Sequence, residues 1–302
     1  MWEQVILPAS LNGLPLFNPC NLAPLSYNNN IVVLHDVIPL LYPQFYNRVF
    51  RTYYAWLVPR LARSATHVVT VSEFSGEQIM RLTGIPQSRV SVVYNGVSEK
   101  FDPGLRSLLS PVWAKFGLAQ PYVFYAGSLE PRKNVETLLK AFVFARQQMG
   151  LKCYSLVLAG STHRNFSSVN LSGLIEQARQ QTGTDIRLLG YVGDNDLAQL
   201  YANASLFVYP SICEGFGLPV LEAMASGTPV LAADSSSLRE IIQVEELLHP
   251  VYDYRALAEK MTELLRNEYL QRRYSEAGLK HIRQFSWDRT AQKTGKILRM
   301  FT

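Results

Sequence analysis

The feature that most constrains this chain is a recurrence: short, apolar, β-branched runs separated by longer stretches of helical period. The runs are Ile31–Leu34, His67–Val71, Val90–Tyr94, Tyr122–Tyr125, Ser155–Ala159, Ile186–Leu189, Leu206–Tyr209 and Pro229–Ala232. Several are apolar almost throughout instead of alternating. A strand that is apolar on both faces needs cover on both, and crossover helices supply it. The pattern therefore predicts parallel sheets in an α/β, doubly wound architecture. The polar cluster Asn28–Asn30 reads as a loop before a strand, and no internal repeat or low-complexity tract breaks the alternation.

With 302 residues, 48% of them hydrophobic, the chain is long enough to bury two cores. Turn residues and a lost apolar period from Asp102-Pro103-Gly104 through Ser110-Pro111 place a domain boundary near there. We expect an N-terminal Rossmann-like domain over 1–112 and a second over 113–284. A last helix, opening at Ser286-Trp287-Asp288, would cross back from 285–302 onto the first domain.

No stretch approaches the roughly 20 apolar residues of a membrane span, and the first residues lack a basic segment leading into an apolar one. The expectation is a soluble cytoplasmic chain, with peripheral attachment to the inner face of a membrane compatible with it. Cys20, Cys153 and Cys213 are odd in number and show no metal-ligand spacing, so they read as reduced thiols. A net charge of +5 suits a partner carrying phosphate, whether nucleotide, nucleic acid or anionic membrane. The basic residues are scattered, without a recognition helix or an aromatic-rich reading sheet, so we expect no nucleic acid.

The most informative stretch runs from Ser211 to Val230. An apolar strand ends at Pro210, a glycine-bearing loop follows, Pro219 fits a first helical turn, and Gly227 supplies the stop. The amides around Phe216, Gly217 and Leu218 then lie at a helix N-terminus, which attracts phosphate. Gly215 and Gly217 would let the backbone approach a diphosphate closely. Glu214, in the loop, could accept from sugar hydroxyls, and Glu222, about one turn into the helix, from those of a ribose. Taken singly, each also reads as an ordinary solvent-facing glutamate.

The spacing E-x7-E from Glu214 to Glu222, with G-F-G-L-P between, resembles the donor-site signature of retaining glycosyltransferases of the GT-B fold, glycosyltransferase family 4 (group 1). Further pieces follow in that family's order. They are Leu34-His35-Asp36, Val71-Ser72-Glu73, Tyr94-Asn95-Gly96-Val97, Gly127-Ser128-Leu129-Glu130-Pro131-Arg132-Lys133-Asn134, Leu158-Ala159-Gly160, Leu189-Gly190-Tyr191-Val192 and Phe285-Ser286-Trp287. The resemblance implies transfer of a hexose, of mannose or deoxyhexose type, from a GDP-, UDP- or dTDP-linked sugar to a saccharide or lipid-linked acceptor. It implies no cofactor beyond the donor and no metal, since cations neutralise the leaving diphosphate.

Residue by residue, the resemblance makes His35, Glu214, Arg132 and Lys133 catalytic, His35 closing an apolar strand beside the donor sugar. Gly127, Ser128, Gly160, Tyr191, Val192, Gly215, Phe216, Gly217, Leu218 and Glu222 bind the donor. Where many relatives carry Arg, this chain has Ser128. The P-R-K-N variant resembles a branch that often uses GDP-mannose or a deoxysugar nucleotide, with Arg132 substituting. The family also precedes its His35-like segment with two or three further βα units, whereas this sequence has only Met1–Asn30 there. At roughly 30 residues per βαβ unit, the N-terminal domain should be incomplete. Self-association, or a catalytically inactive nucleotide-sugar-binding subunit that needs a partner chain, is the alternative that follows. A dehydrogenase is disfavoured, because no G-x-G-x-x-G follows the first strand.

Overall fold

The computed structural model describes residues 2–118, 121–161, 171–183 and 185–301. Among these the strands are β1 (Leu16–Asn18), β2 (Asn30–Val33), β3 (His67–Thr70), β4 (Val90–Val92), β5 (Tyr122–Ala126), β6 (Ser155–Ala159), β7 (Ile186–Gly190), β8 (Leu206–Tyr209), β9 (Val230–Ala233) and β10 (Leu248–His249). Every apolar run singled out above becomes a strand. The packing divides the chain into two compact units. The first comprises Met1–Gly96, Glu214–Phe216 and Phe285–Thr302, and the second Val97–Cys213 and Gly217–Gln284.

In the first unit, β1-β2-β3-β4 form a sheet in that order, with every pair parallel. Val32, Leu34 and Val68 pack on Tyr54, Val58 and Leu61 of the helix Arg48–Ser64 and on Ile79 of the helix Glu73–Thr83. The opposite side chains, Ile31, Val33 and Val69, meet Ile297 of the helix Trp287–Leu298. Both faces of β2 and β3 are thus covered, which is why those runs do not alternate. Ser286 caps the last helix by accepting from the Arg289 amide at 3.3 Å.

The second unit holds a parallel sheet ordered β10-β9-β8-β5-β6-β7. The chain starts in the middle at β5, builds outward through β6 and β7, then returns to lay β8, β9 and β10 on the other side. The order reverses between β5 and β8, and in doubly wound sheets the ligand crevice lies outside the carboxyl ends of the strands at that point. The Asp102–Ser110 segment belongs to this unit, where the Arg106 guanidinium donates to the carbonyls of Ala202 (2.8 Å) and Ala204 (3.0 Å).

Two strands escaped the sequence pattern. β1 is three residues between Pro15 and Pro19, and β10 is two residues; both are sheet edges, too short to show a period. Asn30 also differs from its loop expectation: it opens β2, wholly buried. Its side-chain amide donates to Pro24 O at 2.8 Å and its Oδ1 accepts from Asn18 at 3.1 Å, which satisfies a polar group at the strand start.

His249 on β10 gives the second unit a pH dependence. The ring is 0% exposed; Nδ1 lies 2.9 Å from Pro250 O and must donate to it, while Nε2 is buried with no partner among the described residues. Burial pulls its pKa down to about 4. The unfolded chain therefore takes up a proton near pH 6.5 that the folded chain refuses. Stability is full above that pH and falls as pH drops toward 4, by about 3 kcal/mol. Urea unfolding at a series of pH values should show a shallower slope in His249→Leu than in the wild type; equal slopes would assign the effect elsewhere.

Candidate donor site

Three of the second unit's loops leave adjacent strands at the same carboxyl edge: Gly127 after β5, Gly160 after β6 and Tyr191-Val192 after β7. The first two are packed backbone to backbone. A Cβ on Gly160 would lie 1.8 Å from Gly127 O, and its φ of +150° is one that only glycine adopts readily. Val192 is buried, whereas Tyr191 is 83% exposed.

The loop after β5 forms a single 3₁₀ turn, Pro131–Lys133, ended by Asn134 at a φ of +54°. It is stitched to the loop after β8 across the switch point. Ile212 N donates to Arg132 O (2.9 Å), Asn134 Nδ2 to Pro210 O (3.2 Å), and Lys133 Nζ to the Tyr209 hydroxyl (2.7 Å). Arg132 and Lys133 are both buried, so neither is the exposed pair a bare sequence would suggest. They differ in commitment. Arg132 Nη2 binds Glu130 Oε1 at 2.7 Å, Nη1 donates to Cys213 O, and Ser128 Oγ donates to the same Glu130 oxygen at 2.8 Å. Arg132 is thus matched by a buried carboxylate, and Lys133 is held on the Tyr209 hydroxyl.

The loop after β8 leads into the helix Leu218–Ala225, with Gly217 at its N-cap and proline in the first turn as expected. The Gly217 and Leu218 amides have no acceptor among the described residues. At the far end Thr228 N bonds Ala223 O and Gly227 N bonds Met224 O, the paired bonds of a Schellman stop. Glu222 is partly buried and accepts from the Tyr201 hydroxyl at 3.0 Å. Burial pushes its carboxyl pKa up, and the Tyr201 bond and Lys100 pull back against that rise.

In the first unit, His35 follows β2. Its amide donates to Asn21 Oδ1 (2.8 Å), and its Nε2 lies 3.1 Å from Pro19 O, which can only accept. A neutral His35 ring therefore carries its proton on Nε2 and keeps Nδ1 as an acceptor. Asp36 Oδ1 accepts from Ile38 N at 2.9 Å and so starts the next helical turn. Glu214 is buried, and Phe216 packs its ring on Tyr94 (5.8 Å between centroids) and Phe285 (6.1 Å). Phe216 can therefore serve a donor through its backbone and not through its ring. A Cβ on Gly215 would come within 2.8 Å of Asp36 Cβ and 2.9 Å of His35 O, so the missing side chain is required by the protein itself.

Sequence reasoning missed Glu130, Tyr201 and Tyr209 as partners of the site residues. A buried hydroxyl inside an apolar strand or helix face carries no signature of its partner. Among the described residues no cluster of His, Cys, Asp and Glu could hold a metal ion.

A family model described as Glycosyl transferases group 1 matches residues 114–281, and one described as Glycosyltransferase Family 4 matches 22–101. The chain belongs to the group 1 glycosyltransferases, family 4. The site loops after β5, β6, β7 and β8 all fall within the first match. This glycosyltransferase is 33% identical over 265 residues to O-antigen chain mannosyltransferase B of Escherichia coli, covering 87% of this chain and 68% of that protein. It is 30% identical over 268 residues to the serotype-specific mannosyltransferase WbdA of Escherichia coli, covering 86% of this chain but only 32% of WbdA. The chain thus spans about two thirds of one relative and about a third of the other. Its fold is that of GT-B glycosyltransferases. The Anabaena protein Alr3699/HepE, solved in complex with UDP-glucose, superposes with a TM-score of 0.73 at 21% identity, over 90% of this chain and 72% of that one.

Proposed function

We propose that this glycosyltransferase moves a hexose, of mannose or deoxyhexose type, from a nucleoside-diphosphate sugar to a saccharide or lipid-linked acceptor, with retention at the anomeric carbon and without a metal. The observation that carries the reading is the pair of loops stitched together at the switch point of the second sheet, with Lys133 on one and the donor-site signature on the other. The mannosyltransferase relatives support the sugar class, and they disfavour a subunit that only binds nucleotide.

In the second unit, the amides of Gly217 and Leu218 and the Lys133 ammonium would take the diphosphate, and Glu222 the ribose. The loops at Gly127, Ser128, Gly160, Tyr191 and Val192 would take the rest of the nucleotide. Arg132 would shape this site through Glu130 and Cys213. In the first unit, Glu214 would accept from sugar hydroxyls, with Gly215 and Phe216 holding its backbone, and His35 would offer Nδ1. The barrier is charge separation between an oxocarbenium-like sugar and the departing diphosphate, so fixed cationic and amide donors aimed at that diphosphate lower it. Titration calorimetry with GDP-mannose, UDP-sugars and dTDP-rhamnose, followed by NMR of the product's anomeric proton, tests this reading. No binding to any of the three, or an inverted product, would refute it.

A lipid-linked acceptor fits a surface of the first unit. The helix Arg48–Ser64 has no acidic residue, and it exposes Val49, Tyr53 and Trp56 together with Arg48, Arg51 and Arg60. The Arg60 guanidinium stacks 4.9 Å above the Trp56 ring. Val49, Tyr53, Trp56 and Arg60 fall on one helix face, a mix that suits the headgroup region of an anionic bilayer. No helix among the described residues is long and apolar enough to cross one. The chain should sediment with vesicles containing phosphatidylglycerol and not with phosphatidylcholine alone, and Trp56→Ser with Arg60→Ser should lose most of that binding. Equal sedimentation with both lipids would remove the claim.

A further inference from the structure

Glu214 leads a tripeptide, Glu214–Phe216, that packs with the first unit although its neighbours on both sides belong to the second. The grip on it is specific. Ser72, the N-cap of the helix Glu73–Thr83, donates its hydroxyl to Gly215 O at 2.6 Å. Ser75, one turn on, donates to the same carbonyl at 3.1 Å, and its amide donates to Ser72 Oγ at 3.0 Å. The Ser72 hydroxyl thereby donates once and accepts once, and both lone pairs of the Gly215 carbonyl are used. Both serines are buried, 0% and 1% exposed, where a lost donor is not replaced by water.

The other sides of the tripeptide are closed by sterics. His35 O and Asp36 leave no room for a side chain at position 215, and the Phe216 ring is held by Tyr94 and Phe285. The segments after β2, β3 and β4 thus each hold one side of the backbone that presents Glu214. The serine hydroxyls add directional contacts to this steric fit. A carbonyl pinned by two donors fixes the peptide plane, and that plane fixes where the preceding residue's side chain can reach.

We propose that Ser72 and Ser75 are positioning residues for the transfer reaction, acting through the Gly215 carbonyl to hold Glu214 in its reactive orientation. The proposal rests on the role assigned to Glu214 above, and its test separates the two. Ser75→Ala removes one donor and leaves the helix cap in place; the double variant Ser72→Ala/Ser75→Ala removes both. Ser64→Ala, at the end of the helix Arg48–Ser64, serves as the control, since its hydroxyl only donates locally to Leu61 O at 3.2 Å.

In the full chain, amide hydrogen exchange over 211–217 should quicken about tenfold in the double variant and stay unchanged in Ser64→Ala. With GDP-mannose as the donor, kcat should fall several-fold in Ser75→Ala and more than tenfold in the double variant. KM for the donor and the affinity for GDP should move less than about threefold, a split that a general loss of folding would not give. Unchanged exchange in the double variant overturns the clamp. Faster exchange with wild-type kcat overturns the positioning role. A wild-type chain that transfers nothing from GDP-mannose counts against that donor, and the exchange rates still decide whether the clamp exists.

Discussion

Replacing Lys133 by Ala should lower kcat by about 10²- to 10³-fold. Lys133 Nζ is held 2.7 Å from the Tyr209 hydroxyl and 5.2 Å from the centre of that ring, on the carboxyl edge of the second sheet at the switch point. Its neighbour Arg132 is paired with Glu130, and the proposed function gives the leaving diphosphate to Lys133. The two substitutions should therefore fail differently. Arg132→Ala leaves the Glu130 carboxylate buried without its guanidinium, which costs about 3–5 kcal/mol and should appear first as a lower melting temperature. Calorimetry with GDP and with guanosine separates the effects further. Lys133→Ala should weaken GDP binding and leave guanosine nearly untouched. Equal losses for the two ligands would take Lys133 off the phosphate.

The largest structural effect is expected at Gly160. An alanine there must place its Cβ 1.8 Å from Gly127 O, with Gly127 C next at 2.9 Å, at a φ of +150°. Both obstacles are backbone, so no side chain can swing aside. Separation of the loops after β5 and β6 would stretch the Gly127 N to Ala159 O bond, now 3.0 Å. Overpacking and backbone strain together should cost about 3–5 kcal/mol, or roughly 10 °C in melting temperature for a unit of this size. Gly193→Ala is the internal control: nothing lies within 4 Å of its added Cβ and its φ is an ordinary −69°. Circular dichroism melts of the two variants decide the matter. A Gly160→Ala chain melting within a degree of wild type would mean that the two loops are not packed as described.

These two sites also mark how far the sequence could be read. Glycines 127 and 160 were legible as strand-end glycines, and the family motif pointed to a diphosphate, yet the nearest group to Gly160 is the Gly127 carbonyl. Arg132 and Lys133 were legible as a cation pair beside each other in the chain. The structure spends one on Glu130 and Cys213 and sets the other against Tyr209. Local sequence states which charges are present; the folded loop states which groups each of them meets.

What the sequence determined by itself is whatever short-range physics writes into it. Continuous apolar runs fixed parallel strands covered on both faces, a proline and a glycine bounded the helix Leu218–Ala225, and a serine started the last one. The tertiary structure decided what depends on contacts between residues far apart in the chain. Ser72 and Ser75 reach a carbonyl about 140 positions away, and Tyr201 reaches Glu222 across two chain reversals. A hydroxyl's partner is set by geometry alone, because a single short polar side chain carries neither period nor spacing from which the fold could be foreseen.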